Sequence, residues 1–504
     1  MSAAGIDARR GDPRTDYRML VGGQWTGGHG EPFSLVSPVD GQPWAVVPTA
    51  DEADVAAAVA AARAAFDTSG WPRTPPVRRA RLLRRLGELI AERAEELARL
   101  QVRENGKVLR ETLSQTKGLT DYCNYFAGLA ETTGGYTIPS STPDMFVYTV
   151  REPVGVVAAV TPWNSPLSLL MWKLCPALAM GNTIVVKPSE VTPASTLVFG
   201  ELIEAAGFPS GVVNIVTGDG RVGAWLTADD RIDKIAFTGS THVGRQIATA
   251  AAAHLTRVSL ELGGKSPNIV FADADLDRAA EGVVAGIFAA AGQTCLAGSR
   301  VLIAQEIYAE FAARLVRRAE RIRLGDPFDP DTEMGPLSCR AQYDKVKHYV
   351  AVAVDEGATL LTGGKHPPGA QFRDGFFMEP TVFGMVRNDM RIAQEEVFGP
   401  VVCLIPFADE EEAIAIGNAS MYGLAAGVWT RDIARAQRVC ARLRAGTVWI
   451  NTYRRTNYAV PFGGVRQSGL GRENGAAAVD EYSEVKSVWM DAGRGISDPF
   501  NPRA

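Results

Sequence analysis

The sequence predicts an α/β protein built from two doubly wound units, each a mainly parallel sheet covered by helices on both faces. From Val154 onward, short apolar runs alternate with helical segments, which is the pattern of parallel strands joined by crossover helices. The length of 504 residues allows more than one domain. Residues 134–152 interrupt the pattern and are typical of an extended hairpin or arm.

Composition excludes several classes of protein. Hydrophobic residues make up 46% and charged residues 22%, which argues against a disordered chain, a coiled coil or a collagen-like fibre. The formal net charge of −5 gives no basic surplus to hold a polyanion, so we expect no nucleic-acid partner. We find no uncharged apolar run long enough for a membrane helix, and the polar stretch up to Tyr17 does not resemble a secretory signal.

The cysteines and histidines favour a reducing, cytoplasmic location without a structural metal. None of the six cysteines forms a C-x-x-C pair, and the five histidines are scattered. A disulfide framework or a zinc site is therefore not expected.

The first part of the chain predicts β-hairpins followed by three helices. Short apolar runs punctuated by Gly and Pro over residues 19–48 favour β-hairpins. Helical spacing then predicts helices over 54–66, 77–105 and 108–132, the second ending at Asn105-Gly106.

The alternating region follows. Its predicted strands are 155–160, 183–187, 212–216, 234–237 and 257–261, and its predicted helices are 167–179, 193–206 and 241–251. A second unit begins near Gly263, with strands at 266–271 and 401–405 and helices at 276–290 and 306–323. An apolar strand at 485–490 has no neighbour in sequence and is expected to pair at a distance or across subunits.

These elements give a domain prediction. The predicted units are a tail (1–18), a first α/β unit (19–132 and 153–262), a second α/β unit (263–463), and an arm with a distant strand (133–152 and 480–492).

Two segments are candidates for phosphate binding. Residues 218–223 match G-x-G-x-x-G after a strand, but the acidic residue expected about 20 positions later is missing, so an ordinary turn remains open. The segment Phe237-Thr-Gly-Ser-Thr241 follows a strand and opens a helix, where free backbone amides could hold a phosphate. A simple Ser N-cap is the alternative.

Three residues are candidates for chemistry. Cys295 lies among small residues that would allow close approach of a ligand, although an inert buried thiol is the alternative. Glu261 ends a strand beside a Gly pair, where it could serve an active site or a structural ion pair. Asn164 also follows a strand and could donate to an oxyanion or cap the next helix.

Taken together, the motifs resemble the aldehyde dehydrogenase superfamily from about Tyr17 to Met490. They are Thr161-Pro-Trp-Asn164, Lys187-Pro-Ser-Glu190, Phe237-Thr-Gly-Ser-Thr241, Leu260-Glu-Leu-Gly-Gly-Lys265, Gly292-Gln-Thr-Cys295, Glu395-Glu-Val-Phe-Gly-Pro400, Pro461-Phe-Gly-Gly464 and Ser468-Gly-Leu-Gly471. The resemblance implies that the first doubly wound unit (19–132 and 153–262) is an NAD-binding domain and the second (263–463) a catalytic domain. It also implies that residues 133–152 and 480–492 are the oligomerisation arm and strand of a homodimer or homotetramer.

The resemblance also implies oxidation of an aldehyde to a carboxylic acid through a thiohemiacetal and a thioester on Cys295. The oxyanion would be held by Asn164 and the Cys295 backbone N–H, and Glu261 would activate the hydrolytic water. Relatives that transfer the acyl group to coenzyme A lack this base, so hydrolysis is expected. Lys173 would take part in proton relay; a solvated helix face is the alternative.

NAD is the implied cofactor, with NADP possible. Glu190 favours NAD because a carboxylate beside the ribose repels a 2′-phosphate. The implied cofactor-binding residues are Trp163, Lys187, Ser189, Glu190, Phe237, Gly239, Ser240, Leu262, Glu396 and Phe398.

The resemblance implies that the substrate is a small-molecule aldehyde. The implied tunnel residues are Ser165, Leu169, Trp172, Thr294, Leu296, Tyr453, Arg454, Arg455, Thr456 and Phe462. Ser165 replaces an aromatic that the family often has, which weakens a trimethylammonium cage. Arg454 and Arg455 could clamp a distal carboxylate, so we predict a semialdehyde or an aromatic aldehyde with an acidic group. A solvated loop or a subunit salt bridge is the alternative for the arginines.

A non-catalytic member of the fold and an acyl-transferring thiol enzyme remain alternatives for the whole chain.

Overall fold

The computed structural model describes residues 16–493 and residue 500. The predicted tail, residues 1–18, lies outside the described residues except for 16–18, which precede the first strand.

The first third of the chain holds two hairpins, a helical layer and the arm. Its strands are β1 Met19–Val21, β2 Gln24–Thr26, β3 Gly30–Val36, β4 Pro43–Thr49, β5 Thr137–Ile138 and β6 Met145–Pro153. Its helices are α1 Glu52–Asp67, α2 Pro76–Glu92, α3 Ala94–Asn105, α4 Leu109–Lys117 and α5 Leu119–Thr132.

The middle of the chain alternates between strands and helices, as predicted. The order is β7 Val156–Thr161, α6 Pro166–Met180, β8 Thr183–Pro188, α7 Ala194–Ala206, β9 Val213–Ile215, α8 Gly220–Ala228, β10 Lys234–Thr238, α9 Thr241–Ala252 and β11 Arg257–Glu261.

The last part forms the second unit and returns to the arm. The order is β12 Pro267–Val270, α10 Leu276–Phe288, β13 Arg300–Ala304, α11 Tyr308–Glu320, α12 Arg340–Asp355, β14 Thr359–Thr362, β15 Thr381–Gly384, α13 Arg391–Gln394, β16 Val401–Phe407, α14 Glu410–Asn418, β17 Ala425–Trp429, α15 Ile433–Arg442, β18 Thr447–Ile450, β19 Gly469–Leu470, α16 Ala477–Glu481 and β20 Ser483–Asp491.

Two of the predicted helices are each divided in two, which corrects the prediction. The 77–105 segment breaks at Arg93, which leaves helical geometry between α2 and α3, and the 108–132 segment breaks at Gly118. Leu89 and Leu97 are both buried on the two sides of the first break. Because the apolar spacing continues across a one-residue break, periodicity alone could not reveal it.

Two mainly parallel sheets confirm the predicted α/β fold class. The first has the strand order β19-β11-β10-β7-β8-β9-β1-β2, in which β7 to β11 are parallel and the edge strands are antiparallel. The second has the order β14-β15-β16-β13-β12-β17-β18. Each sheet has its own cluster of buried apolar side chains.

The parallel register brings the ends of several strands to one edge of the first sheet. Thr238 pairs with Glu261, and Thr161 pairs with Pro188. The segments that follow these strands carry the predicted polar side chains, so those side chains emerge at the same edge.

The arm is an antiparallel sheet of β20, β6 and β5. Ser483 pairs with Pro153 at one end of the β20–β6 ladder, and Asp491 pairs with Met145 at the other. The terminal strand therefore pairs at a distance within its own chain. Across the described residues, no helix combines the length and the apolarity that crossing a bilayer requires.

Candidate active site

Cys295 lies half-buried in the loop between α10 and β13, on the wall of a cavity of about 500 Å³. Burial, and then the nearby carboxylates of Glu261 and Glu396, raise the pKa of its thiol to about 12. The thiol is therefore protonated near neutral pH and needs a base before it can act as a nucleophile.

The loop before Cys295 has an uncommon backbone. Ala290 and Ala291 have φ values of 52° and 53°, and Gly292 follows with φ 73°. A Cβ at Gly292 would lie 2.0 Å from the carbonyl oxygen of Gly399, so only glycine fits there. Left-handed residues other than glycine are costly and cluster at functional sites. The sequence showed small residues here, but it did not show this reversal of the chain.

Asn164 lies at the carboxyl end of β7 and is buried. Its Nδ2 donates to the carbonyl of Gln293 at 2.9 Å. This bond ties the amide to the Cys295 loop and uses one of its two N–H groups, which leaves the second for an oxygen beside the thiol.

Glu261, the last residue of β11, is 4% exposed, and neither of its carboxylate oxygens has a hydrogen-bond partner among the described residues. Burial raises its pKa well above the ordinary value; Glu473 adds to this effect, and Lys173 and Arg472 oppose it. A buried carboxyl with a raised pKa is suited to general-base catalysis near neutral pH.

Lys173 is fully buried rather than on a solvated helix face. Its Nζ donates to Thr238 Oγ1 at 2.7 Å and forms a short ion pair with Glu473. Sequence reasoning missed Glu473. The sequence feature that could have found Glu473 is its position two residues after Gly471, the last residue of a family motif.

The predicted ribose residues lie at the end of β8. Lys187 Nζ is 3.5 Å from the Glu190 carboxylate, and Ser189 is buried beside them. Burial lowers the pKa of Lys187, and Glu190 opposes this. Glu190 also lines a cavity of about 510 Å³.

Residues of the G-x-G-x-x-G segment line this second cavity. Asp219 caps α8 by accepting from the amide of Arg221 at 2.9 Å. Val222 and Trp225 of the same helix face the cavity beside Glu190. An apolar wall next to the carboxylate that is predicted to bind the ribose suits an adenine ring. Sequence reasoning missed both residues because it judged the motif by its glycines and by the missing acidic residue, not by the apolar side chains of the helix that follows.

Ser240 is exposed at the N-terminus of α9, where its hydroxyl accepts from the amide of Val243 at 3.3 Å. Ser240 therefore acts as an N-cap in this structure, which is the alternative that the sequence left open. The other amides of the first helical turn remain able to bind an anion. A Cβ at Gly239 would lie 2.4 Å from the ring of Phe237. Gly239 thus needs glycine because that ring packs against it.

Leu262 and Glu396 both lie at the segment that follows β11. Leu262 follows Glu261 and packs against Gly244 of α9. Glu396 Oε1 accepts from the amide of Gly264 at 2.9 Å, and burial raises the pKa of Glu396.

Two aromatic rings lie close together near Glu396. The rings of Phe398 and Trp163 meet edge to face with centroids 5.3 Å apart. This contact joins the segment after β7 to the segment after α13.

Most of the predicted tunnel residues line the cavity that holds Cys295. They are Ser165, Leu169, Trp172, Thr294, Leu296, Arg454, Arg455 and Thr456. Tyr453 and Phe462 are not among its lining residues: the Tyr453 hydroxyl donates to the carbonyl of Leu296 at 3.0 Å, and the Phe462 ring packs against Trp172.

The two arginines differ from each other. Arg454 Nη2 is 2.6 Å from the carboxylate of Glu111, so its charge is already compensated. Arg455 is exposed, and its guanidinium has no ion pair among the described residues. The clamp by two free arginines is therefore corrected to one free arginine and one that is paired.

Sequence reasoning missed three polar residues at this cavity. Glu111 and Gln115 of α4 line it, and Lys107 reaches its wall through Ser165. Nothing local in the sequence marked them, because they come from α4 and the segment before it, far along the chain from the motifs that carry the family resemblance.

The sequence profile of the aldehyde dehydrogenase family matches residues 25–488, nearly the whole chain. The chain belongs to the aldehyde dehydrogenase family. The predicted family is thereby confirmed.

Similar proteins agree with this membership. The betaine aldehyde dehydrogenase of Bacillus subtilis is 44% identical over 485 residues, covering 96% of this chain and 99% of that protein. An aldehyde dehydrogenase of Aspergillus niger is 45% identical over 473 residues, covering 93% and 94%. A crystal structure of betaine aldehyde dehydrogenase from Staphylococcus aureus in complex with NAD+ has a TM-score of 0.95 at 40% identity, covering 97% of each chain.

Proposed function

We propose that this aldehyde dehydrogenase oxidises an aldehyde to the carboxylic acid with NAD, using Cys295 as nucleophile and Glu261 as general base. One observation carries the proposal. Cys295 and Asn164 share one cavity, and Glu261 is close enough for its charge to act on the thiol.

The first step requires a proton to leave the thiol. With its pKa raised to about 12, Cys295 gives its proton to a base as Sγ attacks the aldehyde carbon. Glu261 suits this role because burial has raised its own pKa. The carbonyl oxygen becomes an oxyanion, which the free N–H of Asn164 Nδ2 and the Cys295 backbone N–H stabilise.

The residues at the edge of the first sheet fit a dinucleotide. Lys187 and Glu190 suit an adenosine ribose, Val222 and Trp225 its base, and the amides that follow Ser240 the pyrophosphate. Glu396, with its carboxylate held by Gly264, suits the second ribose. NAD, when bound, supplies the acceptor for the hydride that leaves the substrate carbon. The Glu190 carboxylate favours a free 2′-hydroxyl over a 2′-phosphate, and therefore NAD over NADP.

Hydrolysis of the thioester on Cys295 completes the reaction. The Glu261 carboxyl first releases to solvent the proton that it took from Cys295. The carboxylate then takes a proton from a water molecule as the water oxygen bonds to the acyl carbon, and the carbon–sulfur bond breaks to return the thiolate. The Lys173–Glu473 pair adjoins Glu261 and offers a path for this proton. An acyl-transfer enzyme would need no such buried base.

We further propose a substrate with an acidic group. The charged side chains that line the cavity are Arg454, Arg455 and Glu111, and Lys107 lies behind the wall. Their positive excess attracts a carboxylate and repels a cation. Betaine aldehyde is a second candidate, favoured by the names of the relatives and by the rings of Tyr122 and Trp172 on the cavity wall.

A panel of aldehydes with NAD tests both candidates. Succinate semialdehyde, 4-carboxybenzaldehyde, butanal and betaine aldehyde are compared by the absorbance of reduced nicotinamide, and the acid product is identified by mass spectrometry. We expect the two acidic aldehydes to give the highest kcat/KM. A higher value for betaine aldehyde would overturn the acidic substrate, and no reduction of NAD with any aldehyde would overturn the proposed activity.

We propose a homodimer or a homotetramer assembled through the arm. Support comes from the large apolar side chains that the arm leaves exposed, among them Tyr136 at 71% and Trp489 at 66%. Light scattering during size-exclusion chromatography measures the molar mass in solution, and a monomer at micromolar concentration would contradict the proposed assembly.

A cytoplasmic location is supported by six cysteines that are all unpaired.

A further inference from the structure

Ser165 occupies the N-cap position of α6 but does not cap it. A serine at this position usually accepts a hydrogen bond from an amide of the first helical turn. Here its side chain makes no such bond, and Oγ instead accepts from Nζ of Lys107 at 2.7 Å. The helix therefore forgoes the stabilisation that a serine cap normally provides.

Lys107 is held firmly behind Ser165. It follows α3, is 4% exposed, and donates a second hydrogen bond to Oε1 of Gln115 at 3.1 Å. Two neutral acceptors thus hold a buried ammonium that has no hydrogen-bonded carboxylate among the described residues. Such a charge projects into its surroundings more strongly than a paired one.

This contact fixes the role of the Ser165 hydroxyl. An ammonium can only donate, so Ser165 Oγ must be the acceptor, and its own O–H proton remains free. No other described residue forms a hydrogen bond with Ser165 Oγ. Ser165 lines the cavity beside Asn164 and Cys295, so an oxygen acceptor that enters the cavity can receive that proton.

We propose that Ser165, oriented by Lys107, is a specificity-determining donor that binds an oxygen substituent close to the aldehyde carbon of the substrate. The ligand class is an aldehyde with a hydroxyl or ether oxygen near the carbonyl, in addition to any acidic group at the cavity mouth. Lys107 acts through Ser165 and is a positioning residue. The inference rests on the proposed aldehyde oxidation and narrows its substrate class.

Charged groups around Lys107 set the pH at which this arrangement operates. Burial lowers the pKa of Lys107 to about 8; Glu111 opposes this, and Arg454 adds to it. Above this pH the neutral amine can accept a hydrogen bond from the Ser165 hydroxyl. The Ser165 O–H then points away from the cavity and no longer donates to a substrate there. Selectivity for the oxygenated substrate should therefore fall between pH 7 and pH 9.

A pair of substrates that differ in one atom tests the donor. Methoxyacetaldehyde and butanal have the same chain length, and the ether oxygen can only accept. The readout is kcat/KM for methoxyacetaldehyde divided by kcat/KM for butanal, both with NAD. The titrations of Cys295 and Glu261 affect both substrates and cancel in this ratio. The hydration of each aldehyde is the same for every variant, so it cancels when the variants are compared. Ser165→Ala should lower this ratio about fivefold, the size of one net hydrogen bond. The matched control is Ser168→Ala, a serine of the same cavity with no lysine behind it, for which we expect an unchanged ratio.

Two Lys107 variants provide the readout that a merely structural role would not affect. Lys107→Met should lower the ratio to the Ser165→Ala value at every pH. Lys107→Arg should restore it and abolish the decline between pH 7 and pH 9, because arginine stays protonated. If Lys107→Met does not fold, the pH profile of Lys107→Arg decides alone.

The outcomes separate this inference from the proposed function. An unchanged ratio in Ser165→Ala, or a decline with pH that persists in Lys107→Arg, would overturn the inference while oxidation of butanal continues. If the wild-type protein oxidises succinate semialdehyde but neither of these two aldehydes, the inference alone fails; if it oxidises no aldehyde at all, the proposed function fails and the inference fails with it.

Discussion

The ammonium of Lys173 and the carboxylate of Glu473 form an ion pair inside the protein, with side-chain exposures of 0% and 1%. Thr238 accepts a further hydrogen bond from the lysine. The two charges have opposite effects on Glu261, since Glu473 raises its pKa and Lys173 lowers it. The pair therefore tunes the base that we assign to hydrolysis.

Glu473→Gln should shift the pH dependence of turnover. Removing this negative charge lowers the pKa of Glu261, so its carboxylate form persists to lower pH. The acid limb of the kcat profile should then move to lower pH, measured where circular dichroism shows the variant folded. Glu484→Gln, which removes an exposed carboxylate of the arm, is the control. An acid limb that stays in place in Glu473→Gln would argue against coupling between the two carboxyls.

Glu261→Gln should separate the two halves of the reaction. Without the base, the thiol is deprotonated more slowly and water attacks the thioester more slowly, so the first burst of reduced nicotinamide should form at a lower rate but keep its amplitude, while steady turnover falls by about a hundredfold or more. Stopped-flow absorbance measures both phases. Steady turnover equal to that of the wild type would refute the role of Glu261.

Alkylation by iodoacetamide should report the protonated state of Cys295 in the protein without cofactor. With the pKa of its thiol near 12, the alkylation rate should rise about tenfold per pH unit from pH 7 to pH 10 without a plateau. Mass spectrometry of the peptide follows the reaction, and Cys295→Ser is the control for site assignment. A plateau below pH 9 would mean that the thiolate already exists near neutral pH.

Glu190→Gln should relax the choice of cofactor. Loss of the carboxylate removes repulsion of a 2′-phosphate, so the ratio of kcat/KM for NADP to that for NAD should rise roughly tenfold. Glu31→Gln removes a carboxylate from another wall of the same cavity and should have a smaller effect. Equal effects in the two variants would point to general charge rather than to contact with the ribose.

Arg455→Ala should raise KM for acidic aldehydes more than for neutral ones, by up to about fivefold for an exposed charge. Arg454→Ala should have a smaller effect, because Glu111 already compensates its charge. Glu111→Gln, which frees Arg454, should lower KM for acidic aldehydes. Steady-state kinetics with succinate semialdehyde and butanal measures all three. Parallel changes for the two substrates would remove the acidic-tail hypothesis.

Four of the site residues that sequence reasoning anticipated lie at the ends of strands or just after them. Asn164, Glu190, Ser240 and Glu261 each stand within three residues of such an end. Parallel strands necessarily bring their carboxyl ends to one edge of a sheet, so the alternation of elements already implied their proximity.

The residues that sequence reasoning missed come from other places. Lys107, Glu111 and Gln115 reach the cavity from α4 and the segment before it, and Glu473 reaches Lys173 across 300 residues. Helical periodicity marks which face of a helix is buried, but it does not say which distant side chain will meet it. The helix breaks at Arg93 and Gly118 could not be predicted either, because the apolar spacing continues across each one-residue break.

The sequence by itself determined the family, the two α/β units, and the cysteine, glutamate and asparagine that carry the proposed chemistry. These depend on local spacing and on residue types that few other functions require together. Only the tertiary structure decided the states of the polar groups: that Arg454 is paired, that Lys173 is buried against Glu473, and that Ser165 accepts from Lys107. The charge and hydrogen bonding of a side chain depend on the partners that folding brings to it, and those partners are far away along the chain.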